Sequence, residues 1–145
     1  MKGMSIIVKK VSQLMAGLIF IYGIYIILHG HLTPGGGFAG GAIIAGAFIL
    51  LILAFGSSAL NLKKEIAGSS NTESIAILMV VVLALMALLF GTKIFFLNYL
   101  PKGEPGELLS AGVIPLYNIF IGIEVAGAIL TIFLALVIFK EESSK

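Results

Sequence analysis

Four stretches of this chain, 11–28, 38–60, 75–97 and 114–139, are apolar over a length that a lipid bilayer explains. The hydrocarbon core of a bilayer is about 30 Å thick and takes about 20 apolar residues as helix to cross. A backbone in lipid has no water to bond, and a continuous helix satisfies its own N–H and C=O groups. The expected fold class is therefore an all-α integral membrane protein. Its four transmembrane helices make one domain over residues 1–145, with a glycine-rich turn between the first and second.

Composition removes the main rivals. Of 145 residues 59% are apolar and 11% charged, with a mean hydropathy of +1.16; a soluble domain carries about 25% charged residues. A soluble globular enzyme and a disordered segment are both excluded. Nine lysines against seven glutamates leave a net charge of +2 with no basic tract, which excludes a nucleic-acid binder. The sequence has no cysteine, so disulfides, thiolate metal sites, iron–sulfur clusters and cysteine nucleophiles have no ligands here. Asp, Arg and Trp are absent as well, so every carboxylate side chain is Glu and every fixed cation is Lys.

Charge also orients the chain. Four spans put both termini on one side, together with Lys2, Lys9, Lys10, Lys63, Lys64, Lys140 and Lys145. Lys102 lies in the opposite loops and Lys93 near the end of the third span. The positive-inside rule then makes both termini cytoplasmic in a multi-pass protein of the cell membrane. The first apolar run is too long for a signal peptide and is followed by His29-Gly30-His31 rather than a small-x-small cleavage site, so it reads as a retained anchor. Before the third span, Ser70 with Glu73 three residues on has the form of a capping box, which gives Glu73 a structural role. Pro101 and Pro105-Gly106 mark turns, and Pro115 suits the first turn of the fourth helix, where its missing N–H costs little.

The most informative stretch is residues 29–41, HGHLTPGGGFAGG. Gly35, Gly37 and Gly40 spell G-x-G-x-x-G, but that pattern binds dinucleotides only between a strand and a helix of a βαβ unit, and membrane helices flank it here. Pro34 with Gly35, Gly36 and Gly37 instead permits a sharp re-entry of the chain. Gly37, Gly41 and Ala45 recur every four residues, as do Ala42 and Gly46. Such small-xxx-small stripes let another helix approach closely, within this chain or in a partner. Gly40 belongs to the same glycine-rich opening of the second helix. His29 and His31 lack the three or four ligands a zinc site wants. They are expected at the membrane interface, hydrogen-bonding the turn, with titration near neutral pH as a further role.

Inside the bilayer, Glu124 is the sharpest single residue. It lies about ten residues into the fourth span, or about 15 Å of helix, near the bilayer centre. A charge there costs roughly 2.5–3.5 kcal/mol on insertion scales, so Glu124 is expected to be protonated, paired or facing a wet cavity. It is either a relay for protons or cations or a protonated carboxyl bonded across a helix interface. Lys93 either snorkels to the headgroups or bridges to Glu124 or to a carboxylate of a partner. Asn118 does not share the face of Glu124 and is expected to bond a neighbouring helix.

At the glycine turn the chain resembles the MnhB (MrpB) subunits of multisubunit cation/proton antiporters. The family pattern is close to G-H-x-x-P-G-G-G-F-x-G-G, which falls here on Gly30, His31, Pro34 to Phe38, Gly40 and Gly41. The resemblance covers nearly the whole chain: four spans, similar length, and a fourth span opening Pro115-Leu116-Tyr117-Asn118 and continuing Gly122-Ile123-Glu124-Val125. Several antiporter versions have an Asp before the glycine of the last span and no Glu after it. This version, with Asn118 and Glu124, looks more like homologues embedded in archaeal respiratory complexes, of the membrane-bound hydrogenase or related ferredoxin-oxidising kind.

The resemblance implies a small membrane subunit of an Mrp-type sodium/proton antiporter module, free or within such a complex. It implies other membrane subunits as partners, hydrogenase-type redox subunits among them in the second case, with sodium ions and protons as the transported species. The ion-path candidates are Glu124, Lys93, His31 and His29. No cofactor and no metal is expected in this chain, no catalysis is expected in it alone, and no family catalytic residue carries over to it. A purely structural subunit and a self-associating channel are the rival readings.

Overall fold

The computed structural model describes residues 4–56, 62–90, 94–107 and 110–143, apart from the side chains of 62, 63, 141 and 142. The described residues form four helices: α1 (Ile6–Leu28), α2 (Gly37–Phe55), α3 (Leu62–Leu89) and α4 (Ile114–Glu142). All four are long and apolar enough to cross a membrane, and between 22% and 33% of each apolar window is buried inside the chain. The distribution is that of a protein dissolved in lipid. Large apolar residues face out, with Ile6, Leu89 and Phe139 each more than three-quarters exposed. The interior is built from small residues: Ala16, Gly23, Gly40, Gly41, Ala45, Ala54, Ala76, Ala84 and Ala87 are all buried. Lipid supplies no hydrophobic drive between helices, so association depends on close packing and polar contacts.

The helices stand in the order α1, α2, α4, α3 across the bundle. α1 runs antiparallel to α2, with Met4 N–H bonded to Ala54 O at 2.9 Å at one end and Gly30 against Gly36 at the other. α2 and α4 run parallel: Gly37 sits on Asn118 and Gly41 on Gly122 and Val125. α3 runs antiparallel to α4, with Ser69 and Glu73 against Gly127.

Boundaries of α1, α2 and α3 differ from the expected spans, and α2 ends at Phe55 rather than near 60. α1 begins at Ile6, where the Ser5 hydroxyl accepts from Val8 N–H at 3.4 Å; Lys9 and Lys10 fit the helix because long ammonium side chains reach back to the headgroups. The larger correction is α3. Residues 62–74, expected to be a loop with a capping box at Ser70 and Glu73, are continuous helix, and the helix ends at Leu89 rather than near 97. Side-chain hydroxyls there do not compete for the amides. They bond back to carbonyls one turn earlier, Thr72 Oγ1 to Gly68 O at 2.9 Å and Ser74 Oγ to Ser70 O at 2.9 Å, which a helix tolerates at small cost. Glu73 is thus in a helix interior and caps nothing. Pro115 stands in the first turn of α4, as its chemistry requires.

Candidate functional site

The glycine turn is built by backbone crossing backbone. His29 ends α1 and gathers the chain: Leu32 N–H and Thr33 N–H both bond His29 O at 2.9 Å, and Thr33 Oγ1 donates to the same oxygen at 3.1 Å. Pro34 is exposed at the bend. Gly35 (φ +145°) and Gly36 (φ +86°) then take backbone angles that L side chains resist, and α2 starts at Gly37. The Asn118 side chain closes the turn from α4, its Oδ1 accepting from Gly37 N–H at 3.4 Å. Asn118 therefore does bond a neighbouring helix, α2.

The small-residue stripe is spent within the chain. A Cβ at Gly40 would stand 2.7 Å from Gly23 O on α1, and one at Gly41 would meet Gly122 O on α4. Gly46 belongs to the second stripe and has open space beside it, so that stripe is not covered at Gly46 by the described residues.

His29 and His31 do not work as a pair. The His29 ring stacks on Tyr25, centroids 4.1 Å apart, and its Nδ1 lies 3.0 Å from Tyr25 O. His31 Nε2 lies 3.3 Å from Glu107 O, so with that nitrogen protonated it donates to the 94–107 segment. Three fully buried polar atoms, His31 Nδ1, Tyr117 Oη and Asn118 Nδ2, have no hydrogen-bond partner among the described residues.

The second polar region is a seam between α3 and α4. Ser69 Oγ donates to Gly127 O at 2.7 Å, and Thr131 Oγ1 lies 3.0 Å from Ser69 Oγ and 2.9 Å from Gly127 O. Gly127 is glycine because α3 lies against it: a Cβ there would be 3.1 Å from Ser69 O and 3.4 Å from Glu73 Cβ. Glu124 is three residues before Gly127 and Thr131 four after it, so all three share one stripe of α4. Glu73, against Gly127, thus lies within about one helical turn of the level of Glu124 along the bundle. Both are half-buried.

The depth of this seam follows from the register. Gly127 is nine residues past Asn118, which marks the turn end of α2, so the seam lies about 13 Å from that end. The polar half of α3 therefore sits at mid-span of its neighbours. Glu124 and the histidines are not brought together, since Glu124 is six residues, or about 9 Å, down α4 from Asn118. Lys93 lies outside the described residues. Sequence reasoning missed Ser69, Thr131 and the placement of Glu73. It also missed Asn98, whose side chain donates to Ala111 O at 2.9 Å and accepts from Val113 N–H at 3.0 Å at the start of α4. The available signal was an amide within the apolar run 94–100.

These features define an integral membrane protein of four helices, glycine-packed on one side and joined by hydroxyl groups on the other. Residues 7–131 match the family described as a domain related to the MnhB subunit of Na+/H+ antiporters, and the chain belongs to that family. It is 36% identical over 132 residues to the protein MJ1307 of Methanocaldococcus jannaschii, covering 86% of this chain and 49% of that one. It is 30% identical over 144 residues to a Staphylococcus haemolyticus protein named for antiporter subunit mnhB2, covering 94% and 96%. Among solved structures it resembles a chain of the membrane-bound sulfane sulfur reductase, an archaeal respiratory membrane complex. The TM-score is 0.73 at 32% identity, covering 89% of this chain and 56% of that chain. The chain thus spans about half the length of the first and third relatives and nearly all of the second.

Proposed function

We propose that this chain is a small membrane subunit of an Mrp-type sodium/proton antiporter module, and that its α3–α4 seam lines part of the ion route. Family membership supports the first half. The likeness to a respiratory-complex chain favours a module built into a redox complex, and the staphylococcal relative favours a free antiporter. One fact carries the second half: Glu73 lies against Gly127 at mid-span, and Glu124 stands one turn before Gly127 on the same helix. Ionisable groups at that depth are costly and mark ion or proton paths.

His31 and His29 stand at the turn end of the route, where the buried His31 Nδ1 has no hydrogen-bond partner among the described residues. Lys93 enters from its place in the sequence alone, as a charge near the end of the third span that can bridge to a partner's carboxylate. Both termini are cytoplasmic in this reading.

Glu124→Gln in the whole complex is the test. Assembly with lost sodium-dependent proton transport is expected. Assembly with unchanged transport would overturn the route and leave the structural reading, which the Ser69, Thr131 and Gly127 hydrogen bonds already favour. Conductance from the purified chain alone in liposomes would instead establish a self-associating channel.

A further inference from the structure

α1 and α3 stand on opposite flanks of the α2–α4 pair, and a groove of about 900 Å³ opens between them. Three of its walls are dry: Phe20, Ile24 and Leu28 on α1, Phe48 and Leu51 on α2, and Ile123 among others on α4. The fourth wall is the polar half of α3, where Glu65, Gly68, Ser69 and Thr72 line the groove. We propose that this groove seats a transmembrane helix of a partner subunit. That helix presents small residues to Gly68 and Thr72 and a basic or hydrogen-bond-donating side chain to Glu65. The inference rests on the chain working as a subunit of a larger membrane assembly.

Depth carries the argument. Ser69 is level with Gly127 at mid-span, and Glu65 is one turn farther from the glycine turn, still beside the groove wall that Phe55 helps form. Glu65 and Thr72 are exposed, and so are Asn71 and Ser74 around the same helix. Lipid tails offer none of these groups a hydrogen bond, and an exposed carboxylate at that depth is expensive. Water does not suit a groove whose other three walls are aliphatic and aromatic. A protein helix supplies both surfaces at once, an apolar face for α1 and α2 and a polar one for α3. Gly68 and Thr72, one turn apart, form a small-xxx-small pair of the kind that admits a close helix. A Cβ at Gly68 would have nothing within 4 Å, so no part of the described chain occupies that space.

The test places a photo-activatable benzoylphenylalanine at Thr72, and separately at Ile24 on the facing wall, in tagged full-length chain expressed in its native membranes. Both positions are expected to capture the same integral membrane polypeptide. The captured peptide should map to a transmembrane helix with a basic or amide side chain about two turns from the Thr72 adduct, the distance from Thr72 to Glu65 along α3. Gly68→Leu, which fills open space without clashing inside the chain, should abolish that adduct while the chain still inserts, and Gly46→Leu should not. Adducts with lipid only, adducts with a second copy of this chain, or equal loss in both leucine variants would overturn the proposal. If the captured helix belongs to a polypeptide that is no antiporter subunit, the groove stands and the antiporter reading falls. If antiporter subunits co-purify and no adduct forms, the reverse holds.

Discussion

The two sides of this bundle are held by different chemistry. On one side α1, α2 and α4 meet glycine to glycine: Gly23 against Gly40, Gly41 against Gly122, with carbonyl oxygens where side chains would otherwise be. On the other, α3 meets α4 through Ser69, Thr131 and the backbone of Gly127, with Glu73 against the same glycine. The first kind of contact has no slack, because two backbones cannot retreat from an added methyl group. The second can rearrange, because a hydroxyl changes hydrogen-bond partners without moving a helix.

The rigid side gives the largest expected effect. Gly41→Leu drives a side chain into Gly122 O and the Val125 side chain, and forced overpacking of this kind costs up to about 3 kcal/mol or somewhat more. The thermal midpoint of the detergent-purified complex should fall sharply, or the subunit should fail to assemble. A wild-type midpoint would break the comparison, since it would mean that the α2–α4 contact is as yielding as the seam.

Legibility followed the same division. The four spans were readable because lipid demands long apolar runs, and the resemblance was readable because backbone-on-backbone packing demands glycine at fixed positions, which leaves a fixed pattern of letters. The seam was not. Lys64, Glu65, Ser69, Ser70, Asn71, Thr72, Glu73 and Ser74 read locally as a loop with a capping box. Their helix is decided by packing against Gly127, a partner 58 residues from Ser69, which outweighs the small cost of the back-bonded hydroxyls. The axial offset that sets this polar half at mid-span is a tertiary fact with no local sequence signature.

The loop between α3 and α4 ranks second. Asn98 bridges Ala111 O and Val113 N–H and occupies the place where a side chain on Gly112 (φ +63°) would lie. Asn98→Ala removes both bonds and leaves a free amide at the head of α4, at a cost of about 1–2 kcal/mol. The measurement is amide hydrogen exchange across residues 110–117, which should quicken while α1 and α2 are unchanged. Equal quickening in α1 would mean that the two sides are not independent.

Ser69→Ala carries the smallest effect and is the sharpest test of what the seam is for. It deletes the 2.7 Å bond to Gly127 O and one contact of Thr131. Interhelical hydrogen bonds in membranes average about 0.6 kcal/mol by double-mutant cycles, and in this variant Gly127 O keeps its bond from Thr131 Oγ1 at 2.9 Å. The thermal midpoint should therefore barely move. Thr131→Val combined with Ser69→Ala removes both donors, and the pair should cost more than the two single changes added together, since only the double variant strips the Gly127 carbonyl of its side-chain donors. If Ser69 were structural and nothing more, transport would follow stability in all three variants. If the hydroxyls also carry ions past Glu73 and Glu124, Ser69→Ala should lower sodium-dependent proton transport in a complex whose stability is intact. A cycle with additive stabilities and unchanged transport would reduce the seam to ordinary helix packing.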